Sequence, residues 1–372
     1  MTAVRYFHPD RTGEAAGRAL YQALSESGYI DVLSSLLHRD QPQQALRGLL
    51  TDLPEGLQAA CTLLQLGGSV ATEALPGRLS SALVELEPAG LVSTEHGTLR
   101  LRGLCLSVQD GLLYFSDLPA RRQNLYYGTD SLALASRLQV YPGPDRRVLD
   151  VCAGPGIQGL LSSRSGASVT FVEANPLALS LCQCNVRLNG LQEQAEFVGR
   201  PVEELHGDGT YDYVFANPPL IPVPGPVDYP FVGDGGPDGL AVTRKILATA
   251  LPLLAEGGRL TTIGMSSGSE QHSAVEGLVH QASQECEGLS FCLVLLGQID
   301  LGAGSAWLHS MRDSVALYGG RDMSAEELLE LYREQCGTTV YTYALSVVNS
   351  GAPSTTVIGP VDSTSGQTCW WV

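Results

Sequence analysis

The sequence predicts an α/β protein: a helical N-terminal module followed by a larger domain of alternating strands and helices. Three observations predict it. Apolar residues recur at helical spacing up to about residue 89. The character changes near Asn124. Beyond it, seven short apolar runs are separated by helical segments. The boundaries are expected at 1–103 for the N-terminal module, 104–123 for a linking hairpin, 124–348 for the α/β domain and 349–372 for a polar tail.

In the N-terminal module, segments 12–27, 30–37, 43–50 and 57–66 read as helices, followed by 71–75 and 78–89 across Pro76-Gly77. Residues 90–102 read as two short strands about a His96-Gly97 turn. Helix, helix, helix, hairpin is a winged-helix pattern. Such a module either reads DNA through its second helix or serves packing and dimerisation. The would-be reading helix carries Arg78 against Glu85 and Glu87, a poor surface for phosphate. A packing or lid role is therefore expected, with a homodimer left open.

Bulk composition narrows the function classes. The chain has 372 residues, 44% hydrophobic and 16% charged, so core material is ample. Its formal net charge of -17 repels nucleic acid at long range, and its arginines are scattered rather than gathered in a stripe. Of nine cysteines, Cys182 and Cys184 form the only close pair, with no histidine beside them, so no metal is expected. The N-terminus opens without a charged-then-apolar leader and no apolar run is bilayer length. A cytoplasmic protein with reduced thiols and no membrane contact is expected.

In the α/β domain, segments 147–152, 168–173, 195–198, 211–216, 259–264, 290–296 and 339–348 read as strands. Helices are expected at 158–163, 176–188, 238–254, 271–284 and 324–336. A hairpin is expected ahead of the domain, with strands 104–108 and 112–116. The chemistry gathers at the ends of the first, second and fourth strands. The first ends in Asp150 and turns through Ala153-Gly154-Pro155-Gly156 into a helix carrying Gln158. Glycine there lets backbone approach a ligand, and a helix N-terminus suits a carboxylate. The second strand ends at Glu173, where an acid can accept both hydroxyls of a ribose. The third glycine of a dinucleotide turn is missing. After the fourth strand comes Asn217-Pro218-Pro219-Leu220. Its prolines remove amide donors, leaving the Asn217 side-chain oxygen and the Pro218 carbonyl to accept bonds from a planar NH₂ group.

Asp150 to Gly156, Glu173 and Asn217-Pro218-Pro219 together resemble the motifs of class I S-adenosylmethionine (SAM)-dependent methyltransferases with an Asn/Asp-Pro-Pro-aromatic signature. Gly233-Asp234-Gly235-Gly236-Pro237-Asp238-Gly239-Leu240 is similar to the Gly-Gly-x-Asp-Gly-Leu stretch of HemK-type release-factor glutamine methyltransferases. Tyr127-Gly128-Thr129-Asp130-Ser131 is similar to the segment preceding the first motif in the "methyltransferase small" family. The resemblance covers about residues 126–264. It implies a Rossmann-like seven-stranded methyltransferase domain with SAM as cofactor. Carried over by position, Asp150, Ala153, Gly154, Gly156 and Gln158 would line SAM. Glu173 would hold its ribose and Ala174 its adenine. Thr129 and Asp130 would close the pocket near the methyl group. Asn217, Pro218 and Pro219 would hold the acceptor.

Two departures bear on that acceptor. Leu220 stands where the family usually has an aromatic ring, and Arg200 stands where many relatives carry an acid. The implied activity is methyl transfer to a planar nitrogen of a peptide, a protein or a small molecule. The alternatives are a specialised-metabolite O-, N- or C-methyltransferase with a dimerising winged helix, and, more distantly, a SAM-sensing regulator. His206 and His309 are the only histidines placed by sequence to serve as a base, and each reads as an ordinary surface residue. The tail ends Cys369-Trp370-Trp371-Val372, and exposed indoles tend to find a surface. The tail is expected either to stay flexible or to dock on its own chain or a neighbour.

Overall fold

A computed structural model describes residues 6–36, 42–118, 124–138, 143–206, 211–302, 304–319, 322–361 and 370. Cys369, Trp371 and Val372 lie outside the described residues.

The N-terminal module begins with helices α1 (Glu14–Glu26), α2 (Tyr29–Ser34), α3 (Pro42–Leu49) and α4 (Glu55–Leu64). Strand β1 (Val70–Ala71), helix α5 (Gly77–Val84) and strands β2 (Ser93–Glu95) and β3 (Thr98–Arg100) follow. The three strands form a sheet in the order β1-β3-β2. The helix expected at 71–75 is replaced by β1 and a single 3-10 turn at Thr72–Ala74. Val70 and Ala71 pair with Leu99 and Thr98, so sheet pairing outweighs local spacing there.

A two-stranded ribbon, β4 (Leu104–Gln109) and β5 (Leu112–Asp117), lies between this module and the larger sheet. Its free edge is closed by side chains. Helix α8 (Pro176–Leu188) places Asn185 against β5, where its Oδ1 accepts from Phe115 N at 2.9 Å and its Nδ2 donates to Phe115 O at 3.0 Å. Asn189, four residues on, repeats the pairing with Leu113 at 2.9 and 2.8 Å. Two amides one helical turn apart thus satisfy alternate residues of a strand that would otherwise bury unpaired backbone.

The same helix supports the N-terminal module. Leu181, Cys184 and Leu188 of α8 share one apolar cluster with Leu20, Leu24, Leu64 and Leu83. Gly17 of α1 lies so close to α8 that a Cβ would sit 1.8 Å from Leu188 O. Tyr29, Gln65 and the Leu106 carbonyl form a buried polar knot, with bonds of 2.5, 2.7 and 2.9 Å, that ties α2 and β4 together.

The larger domain begins with α6 (Thr129–Ser136) and β6 (Arg147–Val151). Next come α7 (Ile157–Arg164), β7 (Ser168–Val172), α8, β8 (Ala195–Val198), β9 (Tyr211–Ala216) and α9 (Ala241–Ala250). Then follow β10 (Leu254–Gly268), α10 (Ala274–Glu285), β11 (Leu289–Asp300), α11 (Ala306–Gly319), α12 (Ala325–Gln335), β12 (Thr339–Asn349) and β13 (Ser354–Ile358). The strand order is β13-β11-β12-β10-β9-β6-β7-β8. β8, β7, β6, β9 and β10 run parallel, and β12 is antiparallel to both β10 and β11. All seven expected strands are present. The eighth, β13, comes from the segment expected to be tail and pairs in parallel with β11. Its Ser-Thr-Thr-Val-Ile run is rich in β-branched residues, which suit an edge strand.

The order reverses beside β6, whose neighbours are β7 and β9. Strand C-termini on the two sides of such a switch point diverge and leave a crevice for ligand. Asp150, Glu173 and Asn217 stand at or just beyond the C-terminal ends of β6, β7 and β9, around that crevice.

Candidate functional site

The loop after β6 is shaped by backbone conformations that side chains resist. Cys152, Gly154 and Gly156 all have positive φ, at 55°, 54° and 96°. A Cβ on Gly156 would approach Cys182 Sγ to 2.5 Å, so glycine is required there twice over, by conformation and by space. A Cβ on Gly154 would meet nothing within 4 Å. That open face is a cradle into which a ligand fits. Asn185 reaches this loop too, donating to Pro155 O at 3.0 Å.

Two carboxylates brace the loop from different sides. Asp150 is 1% exposed and accepts from Gly159 N at 2.8 Å. Burial pushes its pKa up to about 7. It holds the start of α7 from beneath and does not reach the cavity. Glu173 accepts from Gly154 N at 2.8 Å through one oxygen and from Asn175 N at 2.7 Å through the other. Burial raises its pKa, opposed by those backbone bonds. A carboxylate offers about four lone-pair sites, so each oxygen keeps one for a ligand.

The crevice holds a cavity of about 280 Å³. Ala153, Gly154, Gln158, Glu173, Ala174, Asn217 and Pro219 line it. Arg200 also lines it. Gly156 acts from behind through its tight packing. Thr129, Asp130 and Pro218 instead line a second cavity of about 340 Å³. Asn217, Tyr126 and Val232 border both. His206 and His309 border neither.

Asn217 is held in one orientation at this junction. Its Nδ2 donates to Asp130 Oδ2 at 2.9 Å and to Ser131 Oγ at 3.2 Å. Asp130 is 6% exposed, and its other oxygen accepts from Tyr126 Oη at 2.5 Å. Burial raises the Asp130 pKa while the Tyr126 and Asn217 bonds oppose the rise. With its NH₂ so engaged, Asn217 Oδ1 must face the other way. It is buried and has no partner. Five buried side-chain oxygens among the described residues lack one, and this alone belongs to a residue bordering both cavities. An unmade buried acceptor costs about 1–3 kcal/mol, a cost that an N–H donor on a ligand would relieve.

The positioning role of Tyr126 and Ser131 is not evident from the sequence, nor are Phe231, Trp307 and Met311 as cavity walls. Among the described residues, no group of three or more His, Cys, Asp or Glu side chains is placed to hold a metal. No helix among them is long and apolar enough to cross a membrane.

Residues 127–294 match the family model of the methyltransferase small domain. Within that span the chain is similar to SAM-dependent methyltransferases of the HemK-like group. The release factor glutamine methyltransferase of Mycolicibacterium smegmatis is 37% identical over 125 residues, covering 31% of this chain and 44% of that protein. The ribosomal protein uL3 glutamine methyltransferase of Bradyrhizobium diazoefficiens is 30% identical over 175 residues, covering 44% and 54%. The 4-amino-L-phenylalanine/4-methylamino-L-phenylalanine methyltransferase of Streptomyces pristinaespiralis is 32% identical over 141 residues, covering 35% and 47%. The chain thus spans about half the length of these relatives. The matched residues include the glycine turn, Glu173 and the Asn-Pro-Pro turn. The N-terminal module, residues 1–103, lies outside the family match.

Proposed function

We propose that this protein transfers the methyl group of SAM to a planar nitrogen of a peptide, a protein or a small molecule. One observation carries the reading: Asn217 Oδ1 is buried, unpartnered and fixed in direction at the junction of the two cavities. The first cavity would hold SAM. Gly154 would let it approach the backbone, Glu173 would accept from its ribose hydroxyls, and Ala174 would lie by its adenine. When bound, SAM supplies an electrophilic methyl group on a sulfonium.

The chain's own part is alignment. Asn217 Oδ1 and the Pro218 carbonyl would accept from an NH₂ group and hold its nitrogen toward the first cavity. Positioning of this kind is worth several kcal/mol when the nucleophile needs no activation. Asp130, with Tyr126 and Ser131, would fix the Asn217 amide so that its oxygen, and not its NH₂, faces the acceptor. A planar amide or aryl amine is neutral near pH 7, which agrees with a junction that no histidine among the described residues borders.

The named relatives act on protein glutamine and on an aromatic amino acid, so both acceptor types belong to this reading. We take residues 1–103 as a winged-helix-like support for the site and leave room in this reading for a homodimer. Substituting Asn217→Ala tests the mechanism. Turnover of tritiated methyl groups should fall by about two orders of magnitude, as when one fixed electrostatic contact is removed, with SAM binding largely intact. Full activity in that variant would refute it.

A further inference from the structure

The second cavity rests on the same reading, and its walls indicate what it accepts. Tyr229, Trp307 and Trp370 come to it from three separate segments, joined by Met311. Asp130 and Asn217 supply polar atoms where it meets the first cavity. Trp370 is 5% exposed and shares an apolar cluster with Leu220 and Met311. Its backbone carbonyl accepts a bond from the guanidinium of Arg137, just past the end of α6. Trp370 is therefore held by packing and by a polar bond.

We propose that this cavity binds a flat aryl amine, and that Trp370, from the chain's own C-terminal segment, forms one wall of the acceptor site. The volume, about 340 Å³ with Trp370 in place, suits a molecule of one or two rings. Aromatic walls favour offset or edge-on contact with a ring, at about 0.5–1.5 kcal/mol per pair. An aryl NH₂ is planar and uncharged near pH 7, so it can donate to Asn217 Oδ1 while keeping its lone pair. An aliphatic ammonium would first have to lose a proton. The Leu220 side chain packs in the same cluster, so the ring contacts of the cavity come from Tyr229, Trp307 and Trp370 instead.

The test is a ligand-observed NMR titration of the full chain saturated with S-adenosylhomocysteine. The probes are 4-methylaniline, a neutral aryl amine, and N-acetyl-L-glutamine amide, a carboxamide of protein type. The wild-type chain is expected to bind 4-methylaniline more tightly than the carboxamide. Trp370→Ala should weaken 4-methylaniline at least tenfold and Trp370→Phe less than threefold, with S-adenosylhomocysteine affinity unchanged in both. Three results would overturn the proposal alone: S-adenosylhomocysteine binds but 4-methylaniline does not, the carboxamide binds more tightly, or Trp370→Ala binds the amine like wild type. Failure of the wild-type chain to bind S-adenosylhomocysteine would overturn the reading of the first cavity, and this proposal with it.

Discussion

Replacing Glu173 by glutamine probes the cofactor cavity without any knowledge of the acceptor. The side chain keeps its size and loses its charge and one acceptor oxygen. In the native protein the two oxygens accept from Gly154 N at 2.8 Å and Asn175 N at 2.7 Å. Glutamine can accept from one of these amides, but its NH₂ then faces the other, and two donors meet. A buried donor left unmade costs about 1–3 kcal/mol. A ribose hydroxyl donating to a carboxylate is worth about 1.5–3 kcal/mol more than no bond, and the amide recovers only part of that. The clash weighs on the free and the bound protein alike and lowers stability, so the weakened ribose bond alone sets the loss of affinity: about 1.5 kcal/mol, roughly tenfold in Kd. Isothermal titration with S-adenosylhomocysteine measures it, with a melting curve to confirm that the variant is folded. A folded Glu173→Gln variant that binds within threefold of wild type would refute the ribose role.

Two further outcomes follow from the same geometry. Asn185→Ala strips three bonds from the Phe115 and Pro155 backbone at a site with no solvent exposure. Chemical denaturation should show a loss of about 2–4 kcal/mol, and a loss below 1 kcal/mol would mean that β5 finds other partners. For Asp150, burial lifts the folded-state pKa to about 7 from the usual carboxylate range, so the native state holds the proton more tightly than the unfolded chain. Stability of the apo protein should therefore fall as pH rises between about 4 and 7, by up to roughly 1.4 kcal/mol per pH unit. Asp150→Asn, which can still accept from Gly159 N, should remove that slope in melting curves from pH 5 to 8; an unchanged slope would place its cause in another residue.

Strands β6 and β7 were legible because each is a short, mostly buried run bounded by a turn. The glycine turn and the acids before and after it, Asp150 and Glu173, were legible because residue types of that kind at those places form a recognisable pattern. Other features were hidden for physical reasons. Helix α6 buries Asp130, Ser131, Ala133, Leu134 and Ala135, so nearly all of its circumference is covered and no polar face announces a helix. Strand β13 sits in a stretch whose overall composition is polar, and only its partner β11 makes it a strand. Asn185 and Asn189 stand at i and i+4, but their partners are Phe115 and Leu113, some 70 residues earlier in the sequence. The neighbours of Asn217 come from a segment more than 80 residues upstream. Sequence spacing carries no information about which way an amide points; that is set only when Asp130 and Ser131 arrive beside it.

Leu220 shows how such distant assembly bears on function. By resemblance, an aromatic ring is expected at that position, where it would stack on a flat acceptor. Leucine there is 8% exposed and packs in the cluster with Ala133, Leu134 and Trp370. A bulky ring at residue 220 would compete with Trp370 for that space, since overfilling a packed core costs about 1–3 kcal/mol. The leucine and the tryptophan are therefore complementary choices: a smaller side chain on the Asn-Pro-Pro turn leaves room for an indole from the C-terminal segment. On the proposed reading, the aromatic contact with the acceptor would come from Trp370 and not from the turn itself. Recognition of the acceptor would then depend on a residue that no local motif contains, while the Asn217 oxygen proposed to address its nitrogen stays with the turn.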